Sequence, residues 1–215
     1  MNRKLRLMIV TLFILIVIAP TAILAEISVG VKEGDWIEYQ VNFAGNPPES
    51  HDVTWARMEI VSVQGPSISL NVTTKFSDGT LLNEMVTLNL ETGQLGDDFI
   101  IPANLNSGST FFDKRMGNIT IDGVEDKTCA GATRTVVYAS TPETTFYWDR
   151  TTGILVAANS TFTGEFNYTM NTKADKTNMW QAQMFGLDPA VFYALVITAV
   201  VIFVVIAFFV IRRKK

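Results

Sequence analysis

Polar and apolar residues alternate along much of the middle of this chain. From residue 37 to residue 43 every second side chain is apolar, and the same pattern returns in three later segments. The apolar positions of the four segments are Ile37, Tyr39, Val41 and Phe43; Ile68, Leu70, Val72 and Phe76; Val86, Leu88 and Leu90; and Phe162, Phe166, Tyr168 and Met170. A period of two is typical of strands with one buried face, because successive side chains of a strand point to opposite sides. We therefore predict an all-β domain.

Turn signals separate the alternating segments. Four are a polar residue followed by glycine, at Asp78-Gly79, Thr92-Gly93, Asp122-Gly123 and Thr152-Gly153. Such pairs permit the positive φ of a tight reversal, so strands that follow one another in sequence are expected to pair antiparallel. The spacing predicts a meander of about 9–12 strands, which either curls into a barrel or half-barrel or folds over into a sandwich.

An apolar run near the amino terminus, Leu7 to Leu24, follows three cations, Arg3, Lys4 and Arg6. One small residue, Ala25, separates it from Glu26. A charged start, an apolar centre and a small-residue end are typical of a secretory signal peptide, which we place at 1–25. Its length is also sufficient for an uncleaved anchor.

A second apolar run lies near the other end, from Val191 to Ile211. A helix of about 21 residues is roughly 31 Å long, which matches the hydrocarbon layer of a bilayer. Asp188 can cap the first turn, and Pro189 is placed where a missing N–H has no cost. We predict a transmembrane helix at 189–211 and a basic cytoplasmic tail at 212–215.

Charge predicts the orientation of the chain. Cations cluster outside both apolar runs and resist translocation, so 26–188 is expected outside the plasma membrane with the carboxy terminus in the cytoplasm. We divide this part into a β domain at 26–170 and a juxtamembrane stalk at 171–188.

The part of the chain between the two apolar runs is acidic. Of 17 Lys and Arg, seven flank the two runs, which leaves ten against 21 Asp and Glu and a net charge of −11. Such an acidic domain excludes nucleic acid as a partner.

Groups that carry chemistry are sparse. The single histidine, His51, is not accompanied by the Gly-x-Ser-x-Gly elbow that carries a hydrolase nucleophile. The single cysteine, Cys129, has no disulfide partner within the chain. Acidic clusters at Asp97-Asp98 and at Asp122, Glu125 and Asp126 lack calcium-loop spacing. We therefore expect a protein that is not an enzyme, with no catalytic residues, no metal and no cofactor.

One aromatic triplet, Phe146-Tyr147-Trp148, marks a candidate ligand surface. Three consecutive side chains of a strand must be shared between its two faces, so one of those faces need not be core. We therefore propose Phe146, Tyr147 and Trp148 as ligand-binding residues.

Four Asn-x-Ser/Thr sequons predict glycosylation, at Asn71, Asn118, Asn159 and Asn167. Asn71, Asn118 and Asn167 fall on the polar side of a local alternation, where a glycan is not buried.

Several segments resemble uncharacterised archaeal membrane-anchored surface proteins. They are GDWIEY at 34–39, FIIPANL at 99–105, GATRTVVYAS at 131–140, YWDRTTGIL at 147–155 and TNMW at 177–180. The resemblance implies an anchored surface β domain and brings no activity with it. The hairpins through Thr-Gly are also similar to those of LolA-type half-barrel lipoprotein carriers, a weaker likeness that implies lipid carriage.

Three hypotheses about function follow. The first is a membrane-anchored cell-surface β domain that is a binding or structural module of the envelope, with envelope proteins or glycans as partners. The second is a carrier or sensor of an apolar ligand, such as a lipid, held in a curved sheet. The third is an envelope hydrolase.

Overall fold

The computed structural model describes residues 27–45, 47–48, 53–96, 98–164 and 167–213. In these ranges the chain is all-β apart from one helix, as predicted. The strands are β1 (Trp36–Gly45), β2 (Val53–Gln64), β3 (Ser67–Phe76), β4 (Leu81–Asn89), β5 (Thr110–Asp113), β6 (Gly117–Thr120), β7 (Gly123–Cys129), β8 (Ala132–Ser140), β9 (Thr144–Asp149), β10 (Leu155–Phe162) and β11 (Tyr168–Thr177). The helix is α1 (Pro189–Arg213). The predicted signal peptide at 1–25 lies outside the described residues.

Nine strands form one antiparallel sheet in the order β4-β3-β2-β1-β11-β10-β9-β8-β7, and β5 pairs with β6. Each half is a meander, and the halves are joined where β1 pairs with β11. The predicted meander is therefore confirmed. The hydrogen-bonded order of the described strands has two edges, β4 and β7, so they form a curled open sheet and not a closed barrel.

One face of this sheet, which we call the core face, is buried. It carries Ile37, Met58, Leu70, Leu88 and Trp148, which are at most 1% exposed. The face packs against the connection between β4 and β7, which contributes to the hydrophobic core Leu90, Leu95, Ile100, Ile101, Phe111, Ile119 and Ile121. Burying both sets of side chains removes a large apolar area from water, which is the main stabilising term in such a domain.

Trp148 fixes this covering connection to the sheet. Its indole N–H donates to the backbone carbonyl of Asp98 at 2.7 Å, and its ring meets Phe111 edge to face at 5.7 Å. A buried indole needs a hydrogen-bond partner, and the connection supplies it. The aromatic side chain thereby ties β9 to a segment that has little secondary structure of its own.

The stalk boundary predicted at residue 171 is too early. Residues up to Thr177 belong to β11, which pairs with β1 on one side and β10 on the other. The alternation is weak there because the core-face positions are Thr172 and Ala174 and the opposite face is polar. The alternating segment from Phe162 to Met170 also belongs to two strands, β10 and β11, since Phe162 pairs with Tyr168.

Helix α1 begins where its sequence predicts, and it extends through Arg213, beyond the predicted end at residue 211. The carboxylate of Asp188 accepts a hydrogen bond from the backbone N–H of Ala190 at 2.8 Å, which caps the first turn. Arg212 and Arg213 lie in the last turn, where cations interact well with the helix dipole. The helix has 25 residues with a mean hydropathy of 3.3 over its most apolar stretch, so it is long and apolar enough to cross a membrane.

Candidate functional site

A polar cleft lies on the opposite side of the sheet, which we call the cleft face. Its volume is about 360 Å³. The residues that line it are Asn42, Lys127, Thr128, Cys129, Val156, Ala157, Asn159, Asn171, Thr172 and Lys173. A second cleft of about 300 Å³ adjoins it and shares Asn42, Thr128 and Lys173. The two together form one open concavity between β7 and strands β1, β10 and β11.

Curvature of the β7–β11 half creates this concavity. Three strands lie between β7 and β11 in the sheet, yet the backbone N–H of Ala130, just after β7, donates to the carbonyl of Ala174 at 3.4 Å. Bulges near Glu38/Tyr39 and Leu155/Ala157 interrupt the regular pairing. Bulges bend and twist a strand locally, which increases the curl of the sheet around the cleft.

Lys127 forms one wall of the cleft. Its ammonium group lies 3.9 Å from the centre of the Tyr147 ring and 3.6 Å from a carboxylate oxygen of Glu125. The side chains of both ion-pair partners are partly exposed, at 33% and 45%, so water screens their attraction. The face of Tyr147 orients the lysine by a cation–π contact and leaves its N–H donors available.

Beneath Lys127, Arg134 connects β8, β9 and the segment that follows β11. Its guanidinium donates to the buried carboxylate of Asp149 at 2.8 Å and lies 4.8 Å from the centre of the Trp180 ring. The indole of Trp180 in turn donates to the carbonyl of Cys129 at 3.1 Å. The segment after β11 is thus bound to the β7–β8 end of the sheet, where Gln183 also bonds Gly131 and Thr133.

Cys129 lies at the floor of the cleft and is buried. Burial raises the pKa of its thiol, while the positive charges of Lys127, Lys173 and Arg134 oppose that rise and Asp149 adds to it. A raised pKa keeps the thiol protonated and makes it a poor nucleophile. Lys127 and Lys173 line the same cleft as Cys129, from β7 and from β11.

The structure divides the predicted ligand residues between the two faces. Trp148 is fully buried on the core face, where Phe146 stacks on it at 5.4 Å and is half-buried. Tyr147 points to the cleft face, beneath Lys127. Of Phe146, Tyr147 and Trp148, only Tyr147 is therefore placed beside the cleft, although it is not among the residues that line it.

The predicted glycosylation sites lie off the buried core. Asn118, Asn159 and Asn167 are exposed, and Asn71 is half-buried on the cleft face of β3. Asn159 also lines the cleft. A glycan on Asn159 would occupy the space that a ligand needs, so the two uses of this residue exclude each other.

Buried carboxylates in the described ranges have structural partners. Asp113 accepts hydrogen bonds from the backbone N–H groups of Arg115 and Met116, and Asp149 accepts from Thr152 as well as from Arg134. Asp98 pairs with Arg115 at 2.9 Å. Its neighbour Asp97 and the histidine at position 51 lie outside the described residues. Among the described residues, no group of three or more His, Cys, Asp or Glu side chains is placed to hold a metal ion.

Sequence reasoning missed the residues that line the cleft. Asn42 occupies a polar position of its alternation, and such positions are expected to face solvent. Lys127 lies in a segment without alternation, and Asn171 and Lys173 lie in the predicted stalk. Alternation separates the two faces of a strand but does not say whether a polar face is flat or concave. The curl that turns these positions into a cleft depends on bulges and on pairing between distant strands.

Comparison with known proteins finds one distant structural match to report. No protein-family model and no curated protein matches it. Among solved structures, the siderocalin Ex-FABP, described as functioning through dual ligand specificities, aligns at 12% identity over 67% of this chain and 73% of its own, with a TM-score of 0.25. Similarity at this level carries no argument about fold or function. None of these comparisons supports the archaeal affiliation.

Proposed function

We propose that this chain is a single-pass membrane protein of the cell surface whose β domain is a non-catalytic binding module of the envelope. One observation carries the proposal: an open polar cleft lies on a β domain that is followed directly by a helix of membrane-spanning length and composition. The cations at both ends of the chain support an orientation with the domain outside.

The attachment between domain and helix supports display of the cleft near the membrane. Gln183 is bonded to the β7–β8 turn, and α1 begins at Pro189. Six residues span at most about 20 Å even when fully extended. The end of the sheet beside the cleft is therefore held close to the start of the anchor.

The side chains that line the cleft favour a polar ligand over the apolar ligand, such as a lipid, of the second hypothesis. Three carboxamides and two lysines line the cleft, whereas sites for small apolar molecules are lined mainly by hydrophobic and aromatic side chains. The largest aromatic candidate, Trp148, is packed in the core. A lipid tail in this cleft would leave polar groups without hydrogen-bond partners.

A binding role is also favoured over the envelope hydrolase. Buried Asp113 and Asp149 each accept hydrogen bonds from backbone N–H groups in turns, and Asp149 also pairs with Arg134. The thiol of Cys129 has a raised pKa and stays protonated. Hydrolytic catalysis needs a carboxylate, imidazole or thiolate that is directed at a substrate. We therefore infer that these carboxylates and this thiol have structural roles and that the cleft is a binding site.

Co-purification tests this proposal. The full-length protein, an Asn171→Trp variant that fills the cleft and a Thr163→Trp control outside it are purified from membranes in mild detergent, and bound molecules are identified by mass spectrometry. We expect a polar molecule that the wild type and the control retain and Asn171→Trp loses. A lipid held equally by all three proteins, or hydrolytic turnover abolished by changing one carboxylate, would contradict the proposal.

A further inference from the structure

We infer that the cleft binds an anionic oxygen group, phosphate or carboxylate, between Lys127 and Lys173. This inference rests on the cleft being the binding site of the proposed module and specifies the chemistry of its ligand. The source of the group is either a lipid headgroup at the nearby membrane surface or a free anion, and both present the same oxygens to the cleft.

Charge in the cleft of about 360 Å³ differs from charge in the rest of the domain. Its ten lining residues include two lysines and no aspartate or glutamate, and the nearest acidic lining residue is Asp175 of the adjoining cleft of about 300 Å³, which accepts a hydrogen bond from Gln40. Residues 26–188 as a whole carry an excess of eleven acidic residues. Two lysines in one cleft of an acidic domain raise the positive potential there, and an anion is the ligand that gains from it.

The two lysines reach the cleft from strands that are not neighbours in the sheet. Lys127 is on β7 and Lys173 is on β11, and both line the same cleft. An anion that binds between two ammonium groups is attracted by both of them. Their presence in one cleft requires the curl of the β7–β11 half.

Neither lysine is strongly paired in the described part of the chain. The contact of Lys127 with Glu125 is long and partly exposed, and no described carboxylate lies within ion-pair distance of Lys173. Each ammonium group has three N–H donors, so both retain donors for a ligand. Hydrogen bonds from charged donors to anionic oxygens are about twice as strong as neutral ones.

Carboxamides complete the donor set. Asn159 and Asn171 are directly paired across β10 and β11 on the cleft face, and Asn42 pairs with Asn171 across β1 and β11. Their N–H₂ groups can donate to anionic oxygens, while their carbonyl oxygens can accept from a hydroxyl on the same ligand. The volume of about 360 Å³ accommodates an anionic group together with the sugar or glycerol that carries it.

Site-resolved amine footprinting tests the inference with inorganic phosphate as the probe. The full-length protein in nanodiscs of zwitterionic lipid is treated with an amine-modifying reagent over a phosphate titration at constant ionic strength, and modification of each lysine is read by mass spectrometry. We expect phosphate to protect Lys127 and Lys173 and to leave the exposed Lys75 and Lys114 unprotected. Equal protection of all four lysines, or of none, would overturn the inference.

Matched double variants separate the site from general charge. Lys127→Gln with Lys173→Gln should weaken phosphate binding by about tenfold or more, because charged donors are lost from the site. Lys75→Gln with Lys114→Gln removes the same charge elsewhere and should leave binding within about twofold. If the second pair weakens binding as much as the first, the cleft is not the site.

Nanodiscs that contain anionic lipid identify the source of the ligand. A headgroup that enters the cleft would protect both lysines before phosphate is added, whereas a soluble ligand predicts the same titration in both lipids. Absence of protection in every arm would refute anion binding and leave the co-purified polar molecule of the proposed function as a separate test. Failure of the inference is therefore distinguishable from failure of the proposed function.

Discussion

At the scale of single residues, Tyr39 joins strands that do not pair with each other. Its hydroxyl is buried on the core face of β1 and donates to the carbonyl of Leu155 on β10 at 2.8 Å, across the intervening β11. Burial raises the pKa of this phenol well above its usual value of about 10. The folded chain therefore keeps a proton that the unfolded chain loses in alkaline solution.

This difference predicts a loss of stability at high pH. Tyr39 contributes fully below the unfolded pKa near 10, and its contribution falls by about 1.4 kcal/mol per pH unit above it until the folded pKa is reached. Tyr39→Phe should lower the free energy of unfolding by about 1 kcal/mol at neutral pH and flatten its decline above pH 10. Denaturant unfolding at several pH values measures both effects. An unchanged alkaline decline in Tyr39→Phe would contradict this explanation.

Residues with local roles were predictable from sequence, and those with long-range roles were not. The cap by Asp188 needs only the residues that follow it, so its sequence identified it correctly. Lys127 and Lys173 are 46 positions apart and line one cleft only because the sheet curls. Tyr147 was singled out as part of an aromatic triplet, but its contact with Lys127 depends on cross-strand geometry.

At the scale of elements, the turn between β9 and β10 shows how a sequence signal acquires a tertiary role. Asp149 accepts hydrogen bonds from the N–H and the hydroxyl of Thr152, and Gly153 has a φ of +73°. The carbonyl of Gly153 also accepts from the N–H of Ile101 at 3.0 Å. The turn therefore supports the connection that covers the core face.

Replacing this glycine should be costly for two reasons. A Cβ at Gly153 would collide with the backbone carbonyl of Ile101 and would strain a left-handed φ. The control is Gly79→Ala, where φ is +88° and nothing lies within 4 Å of the added atom. We expect a loss of about 1–2 kcal/mol for Gly79→Ala and clearly more for Gly153→Ala, measured by denaturant unfolding. Equal losses in the free energy of unfolding would contradict close packing of this turn against the backbone of Ile101.

Elements with strong alternation were predicted well, and elements without it were not. The alternating segments at β1, β3 and β4 are strands with the predicted faces buried. The end of β11 was assigned to a stalk because its core-face residues are small or polar. The connection at 90–121 carries no periodic pattern, so its role as the cover of the core face follows only from packing.

At the scale of the whole molecule, the chain combines three features: an open β domain, a cleft lined by two lysines at one end of it and an apolar helix just beyond. The segment from Asn178 to Leu187 connects them and contacts the sheet through Trp180 and Gln183. This arrangement holds the cleft near a bilayer if α1 spans it. The function that we propose depends on the domain being outside the cell.

Labelling of introduced cysteines tests that placement most directly. The native Cys129 is buried and provides a low baseline, so Thr163→Cys, at an exposed site in the β domain, and Arg213→Cys, at the end of α1, are compared in the full-length protein. With a membrane-impermeant maleimide, we predict that Thr163→Cys is labelled on intact cells and that Arg213→Cys is labelled only after permeabilisation. Labelling of Thr163→Cys only after permeabilisation would contradict the account.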